Sequence, residues 1–150
     1  MKLLIPPPIV TAICGLAMLG IAQFFPQTQL TFPFQALVAV AFIVAGLAIA
    51  LVSVGAFRKA KTTVTPLAPE KASSLVVTGL YRYTRNPMYL GMLLILCGVA
   101  VWLGSLANVI VLIAFVAYIT AFQIVPEEAR LSQVFGTGYE SYKARVRRWL

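Results

Sequence analysis

Two long uncharged stretches dominate the pattern of hydrophobic and polar positions along the 150-residue chain. They run from Leu3 to Phe57 and from Asn86 to Pro126, and all charged side chains, 12 basic and 4 acidic, lie outside them. A transmembrane helix needs about 20 mainly apolar residues, so each stretch is long enough for two spans. The pattern predicts a single all-α integral-membrane domain over residues 1–150.

Prolines, glycines and charges set the limits of the four predicted transmembrane helices. We expect these at about residues 9–25, 34–57, 87–103 and 106–125. The uncharged segment Pro26 to Pro33 predicts one outer turn, and Gly104 with Ser105 predicts the other. A signal peptide is the competing interpretation of the first apolar run, but no small-residue cleavage site follows it.

The basic residues predict the orientation of the chain. Arg58, Lys59 and Lys61 end the second span just before the connector Thr62–Thr78, and Lys2 and the tail are also basic, whereas both outer turns are uncharged. Cytoplasmic loops are enriched in Lys and Arg, so we expect both termini and the connector to be cytoplasmic, most simply in a prokaryotic cytoplasmic membrane. Such residues also attract anionic membrane lipids.

Composition argues against several other classes of protein. The net charge of +8 accompanies no nucleic-acid-binding motif, so we expect no nucleic-acid partner. No Gly-x-Gly-x-x-Gly follows a predicted strand, which argues against a soluble Rossmann-type enzyme. Cys14 and Cys97 lie in apolar runs without metal-ligand spacing and the chain has no His, so we expect no metal site.

The stretch Gly79 to Gly91, GLYRYTRNPMYLG, holds the first candidate site. Asn86 is a favourable N-cap, and Pro87 suits the first helical position because its missing N–H would have no partner there. A helix is therefore expected to begin here. Its free N–H groups, its positive dipole end and Arg85 together predict an anion site.

A second candidate site follows Pro126, which we expect to kink or restart the helix. Glu127 and Glu128 then lie in a first turn, where the helix dipole favours negative charge. The helical period also places both carboxylates on the apolar side of Leu131 and Phe135. Carboxylates on an apolar face usually have a partner, which favours a role in a site.

The C-terminal segment is predicted to form interfacial helices. We expect the residues from Gly136 to Gly138 to break the helix and Tyr139–Leu150 to follow as an amphipathic helix. Its apolar stripe would be aromatic, containing Tyr139, Tyr142, Val146 and Trp149. Arg145 lies beside this stripe and is expected to turn inward.

Together, GLYRYTRNPMYLG and PEEARLSQVFGTGYESYKARV resemble the isoprenylcysteine carboxyl methyltransferase family of integral-membrane enzymes that use S-adenosylmethionine. The resemblance covers Thr62 to Trp149, and Asn86 stands where the family has His. It implies a cytoplasmic cofactor pocket and a lipophilic acceptor that enters from the bilayer. The implied cofactor-binding residues are Tyr81, Arg85, Asn86, Pro87, Tyr89, Leu90, Gly91, Glu127, Glu128, Tyr139 and Tyr142.

Arg85, Glu128 and Arg145 are the residues expected to take part in catalysis. Because the chain has neither His nor Asp, an acceptor that must lose a proton would depend on Glu, Tyr or water. An acceptor carboxylate, such as that of a prenylcysteine, needs no base and is weakly favoured. The alternatives are a phospholipid, amine or thiol methyltransferase, a related membrane reductase, and a non-catalytic membrane protein with this fold.

Overall fold

The computed structural model describes residues 5–59 and 75–150. Within these ranges the chain is helical and has no β-sheet. The helices are α1 (Pro7–Phe24), α2 (Gln35–Lys59), α3 (Pro87–Leu103), α4 (Val109–Ile119), α5 (Val125–Phe135) and α6 (Thr137–Arg145). Lys2 and residues 62–74 of the predicted connector lie outside the described residues, so the predictions made for them stay predictions.

In the part of the chain that the structure describes, three helices are long and apolar enough to cross a membrane: Pro7–Phe24, Gln35–Lys59 and Leu106–Phe135. The all-α membrane class is therefore confirmed. Helix α3 is apolar but has 17 residues, fewer than the other three. A fourth span and the cytoplasmic location of the termini remain predictions.

The fourth predicted span differs most from the structure. It was expected to end near residue 125, with a kink or restart at Pro126, but one helical stretch continues from Leu106 to Phe135. A π-helical turn, Thr120–Ile124, directly precedes α5 and separates it from α4. Pro126 cannot donate a hydrogen bond to Phe122, and a π turn is one way to accommodate that gap without ending the helix.

The length of this helical stretch explains how it carries both apolar and charged residues. At 1.5 Å per residue, 30 residues extend about 45 Å, which exceeds a hydrocarbon core of about 30 Å. The C-terminal part, α5, therefore extends beyond the apolar layer. Helices α5 and α6 and the start of α3 come together at one end of the molecule. We call this end the charged end.

Helix α3 lies at the centre of the bundle, with its contacts to α2 the most extensive. The two helices approach backbone to backbone, because a Cβ added at Gly46 would lie 2.5 Å from the Gly91 carbonyl oxygen. A Cβ at Gly98 would lie 2.8 Å from the Ala39 carbonyl oxygen. Small residues at such an interface allow close packing in a membrane.

On its other side, α3 packs with α1 and α4 around a buried apolar core. Met18, Leu96 and Phe115 lie at the centre of this core and are almost fully buried. At the end opposite the charged end, α3 stops at Gly104, whose φ of 62° favours glycine. The Gly104 carbonyl there accepts a 2.7 Å hydrogen bond from the Leu30 N–H.

The predicted tail helix, Tyr139–Leu150, is wrong at both ends. Helix α6 begins at Thr137, directly after Gly136 ends α5, so Thr137 and Gly138 belong to the helix. It ends at Arg145, because Val146 is extended, with φ −120° and ψ 131°. We call residues 146–150 the terminal strap.

Candidate functional site

The charged end is built around the carboxylate of Glu128, which lies on α5. Arg85 Nη2 donates to Glu128 Oε1 at 2.9 Å, and Arg148 donates from Nε to Oε1 at 3.0 Å and from Nη2 to Oε2 at 2.7 Å. The side chains of Arg85 and Glu128 are each 9% exposed, whereas that of Arg148 is 37% exposed. One nearly buried carboxylate is therefore shared by two arginines. We call these three residues the ion cluster.

Arg85 is held by several further contacts. Its Nη1 donates to the Lys143 carbonyl at 2.9 Å, which ties it to α6, and its backbone N–H donates to the Arg147 carbonyl at 3.0 Å. Its buried Nε has no hydrogen-bond partner among the described residues. A buried donor without a partner is unusual, and it leaves Arg85 with one N–H available to a ligand or to water.

Asn86 and Thr84 fasten the terminal strap beside the start of α3. The Asn86 side chain donates from Nδ2 to the Arg148 carbonyl at 2.9 Å, and Thr84 Oγ1 donates to the same oxygen at 3.3 Å. Asn86 does occupy the N-cap position before Pro87, but its side chain makes no capping hydrogen bond. The expected role as a side-chain cap is wrong, because Asn86 Oδ1, the atom that would cap, accepts no hydrogen bond from the first turn of α3.

Glu127 has surroundings unlike those of its neighbour Glu128. Its Oε1 accepts a 2.9 Å hydrogen bond from the hydroxyl of Tyr89, which is buried on α3. Among the described residues no basic side chain forms an ion pair with it. Two consecutive carboxylates therefore face different chemistry, one bound by cations and the other by a phenol.

Three further tyrosines surround this cluster. The Tyr142 hydroxyl donates to the Tyr81 carbonyl at 2.6 Å, and the Tyr81 ring meets Phe57 of α2 edge-on at 5.4 Å. The rings of Tyr139 and Tyr142 lie 6.1 Å apart. Burial raises the pKa of Tyr142 to about 12 and raises the pKa of Tyr81 and Tyr139 as well. These phenols are therefore neutral donors and aromatic surfaces at physiological pH.

Three of the predicted site residues lie apart from the polar contacts of this end. Arg145 does not turn inward: it is exposed, and its Nε donates to the Ser141 carbonyl of its own helix at 3.1 Å. Gly91 packs against Gly46 and Ala50 of α2. Leu90 contributes its backbone N–H to the first turn of α3, bonding the Asn86 carbonyl at 3.0 Å.

The sequence did not identify Arg148 as a member of the ion cluster. A continuous tail helix would place Arg148 away from the centre of the aromatic stripe, but α6 ends at Arg145 and the strap turns back beside Thr84 and Arg85. No periodic pattern indicates this return. The charge of Glu128 was the only signal, because a carboxylate on an apolar face requires a cation.

Comparisons with known proteins place this geometry in context. Residues 34–138 match the model of the phospholipid methyltransferase family. A 63-residue segment is 46% identical to an uncharacterised protein of Haemophilus influenzae, covering 42% of this chain and the whole of that protein. A 72-residue segment is 32% identical to the protein-S-isoprenylcysteine O-methyltransferase of Schizosaccharomyces pombe, covering 48% of this chain and 30% of that protein. No solved structure matches the chain at a significant level.

Proposed function

Because this chain belongs to the phospholipid methyltransferase family, we propose that it is a membrane-embedded, S-adenosylmethionine-dependent methyltransferase that acts on a lipophilic acceptor. The resemblance drawn from its two sequence blocks is confirmed by that match and by the S. pombe relative. The ion cluster carries the proposal, because it joins the first block, through Arg85, to the second, through Glu128. Aromatic side chains from both blocks lie around it.

The residues at the charged end fit a ligand with an α-amino acid group, a sulfonium and an adenine ring. Arg85, with its unpartnered Nε, and the first turn of α3 would hold a carboxylate. Glu127 or Glu128 would hold the ammonium group or the ribose hydroxyls. The faces of Tyr81, Tyr89, Tyr139 and Tyr142 suit adenine and the cationic sulfur. When bound, S-adenosylmethionine supplies an electrophilic methyl group.

The chain's own contribution to methyl transfer is to align the reactants and exclude water. Burial of Tyr81, Tyr89, Tyr139 and Tyr142 makes the surroundings apolar while their hydroxyl groups stay hydrogen-bonding donors. Fixing two reactants in line removes much of the entropic barrier to their reaction. An acceptor that arrives as a carboxylate needs no further group from the protein.

Glu127 favours a second acceptor class, an amine such as the headgroup amine of a phospholipid. Glu127 has no cationic partner among the described residues, so an ammonium group could form an ion pair with it and favour its ionised form, which an acceptor carboxylate could not do. An amine must also lose a proton during methylation, and Glu127 is a carboxylate that can accept it. Tyr89 would hold that carboxylate in place through its 2.9 Å hydrogen bond.

The proposal is tested by incubating the purified full chain with methyl-labelled S-adenosylmethionine and a total membrane extract, and then identifying the labelled product. We expect a labelled lipid or lipidated peptide, and calorimetric binding of S-adenosylhomocysteine. Absence of both would leave a non-catalytic membrane protein as the better interpretation.

A Glu127→Gln variant distinguishes the two acceptor classes. If the acceptor is an amine, we expect labelling to fall by about 10²-fold or more, because general-base catalysis contributes that much. If the acceptor is a carboxylate, labelling should persist, because that reaction needs no base. Arg130→Gln, an exposed change on the same helix, is the matched control.

A further inference from the structure

The terminal strap lies against the candidate site, although it falls outside the family match, which ends at residue 138. Its backbone forms a parallel β-bridge between Arg147 and Thr84, and the Arg148 carbonyl accepts a hydrogen bond from the Asn86 side chain. Trp149 anchors it from the other side, since its Nε1 donates to Thr120 Oγ1 at 3.2 Å and its ring packs against the apolar core. Arg148 is thereby held between two fixed neighbours.

The formal charges of the ion cluster do not cancel. Glu128 supplies one negative charge, and Arg85 and Arg148 supply two positive charges, so one positive charge remains in excess. Arg85 has 91% of its side chain buried, by its 9% exposure, and keeps an Nε–H without a partner among the described residues. Excess positive charge and an available donor are what an anionic oxygen group requires.

We propose that Arg148 is a positioning residue that neutralises and orients Glu128, so that the charge and free donor of Arg85 bind an anionic oxygen group of the ligand. The group is the carboxylate of the cofactor or a phosphate of a lipid headgroup. The inference rests on the proposed function in its choice of ligand. It adds the strap to the site, where Arg148, and not Arg145, is the arginine of the C-terminal segment that reaches Glu128.

The geometry favours Arg148 over its basic neighbours. Arg148 binds both oxygens of Glu128, and such bidentate pairs fix orientation as well as charge. Without Arg148, the carboxylate would neutralise Arg85 alone and the cluster would carry no excess charge. Arg145 bonds its own helix and the Arg147 side chain is exposed, so neither orients Glu128.

The test measures ligand affinity rather than turnover. The full-length protein is purified in dodecyl maltoside without phosphate, and titrated by calorimetry with S-adenosylhomocysteine, 5′-methylthioadenosine and a short-chain phosphatidylethanolamine. The first probe carries an amino acid group and the second lacks it. The variants are Arg148→Gln, Arg148→Lys and the matched control Arg147→Gln, each checked for folding by thermal unfolding.

We expect Arg148→Gln to weaken binding of S-adenosylhomocysteine by about tenfold or more, with binding of 5′-methylthioadenosine unchanged. Arg148→Lys should recover part of the loss, and Arg147→Gln should match the wild type. If the lipid phosphate is the bound anion, Arg148→Gln should instead weaken only phosphatidylethanolamine binding.

Two results would overturn the role of Arg148. One is unchanged affinity of Arg148→Gln for both anionic probes. The other is an equal loss for S-adenosylhomocysteine and 5′-methylthioadenosine, which would indicate a general structural defect. If the wild type binds neither nucleoside, the proposed function fails instead, and the lipid titration still tests Arg148.

Discussion

Helix α3 takes part in two regions that are stabilised in opposite ways. Along its side, it meets α2 through glycines, with backbone against backbone and no charged group at the contact. At its start, it meets α5, α6 and the strap through ion pairs and hydrogen bonds to carbonyl groups. The first region depends on shape and the second on charge.

This difference separates support from function. The α2–α3 interface leaves no space for an added atom at Gly46 or Gly91, so it fixes where the start of α3 lies. The charged end is less tightly closed, because Arg148 is 37% exposed and Arg85 retains a donor without a partner among the described residues. A rigid interface that holds an adaptable polar cluster suits a ligand site.

The largest effect should come from breaking the ion cluster. Glu128→Gln should lower the free energy of unfolding by about 3 kcal/mol, because it leaves the buried charge of Arg85 without its partner. Arg85→Gln should cost less, because Arg148 still pairs with Glu128. The double variant should lose clearly less than the sum of the two, since it removes both charges together. Unfolding followed by circular dichroism in detergent gives all four values of this cycle.

Arg145→Gln is the control for this cycle, because Arg145 is exposed and outside the cluster. We expect its unfolding midpoint to match that of the wild type. Additive losses in the double variant would mean that Arg85 and Glu128 do not stabilise each other.

The α2–α3 interface should respond to volume instead. Gly46→Ala places a Cβ 2.5 Å from the Gly91 carbonyl oxygen and 3.0 Å from the Ile95 backbone nitrogen, so the helices must separate. We expect a loss of about 1–3 kcal/mol, as is typical of overpacking, and no change with ionic strength. Thermal unfolding at low and high salt measures both.

Gly15→Ala provides the matched control in α1, because an added Cβ there meets nothing within 4 Å. Removing a helix-interior glycine in open space should stabilise the protein slightly or leave it unchanged. Equal losses at Gly15 and Gly46 would show that glycine flexibility, rather than close packing, explains the result.

The bounds of α1, α2 and α3 were predictable to within about two residues. Long apolar runs, the prolines at their starts and the basic residues after α2 are local signals, and the structure follows them. The continuation past Pro126 was not predictable in this way. The π turn at Thr120–Ile124 lies directly before Pro126, but a proline alone does not tell whether a helix ends there or continues through such a turn.

The site was predictable only where a local rule placed its residues. Arg85 and Glu128 were expected from motif and charge, and the structure brings them within 2.9 Å of each other. Arg148 was missed because its place depends on where α6 ends and on how the strap returns to Thr84. Asn86 was expected to cap α3, but its side chain donates a hydrogen bond to the carbonyl of Arg148, 62 residues further along the chain.

The smallest effect should come from an exposed polar contact of the charged end, between α5 and α6. Ser132 Oγ donates to Glu140 Oε1 at 2.6 Å, and this hydrogen bond lowers the pKa of the Glu140 carboxyl below its usual value. The contact therefore stabilises the fold above the usual carboxyl pKa of about 4.3, and the effect is lost as the pH falls through the lowered pKa. Ser132→Ala should lower the unfolding midpoint slightly at pH 7, and the difference should vanish in acid. Ser141→Ala, the same change on the exposed surface of α6, should show no such difference. A difference in unfolding midpoint between Ser132→Ala and the wild type that persists in acid would contradict a hydrogen bond to the ionised Glu140 carboxylate.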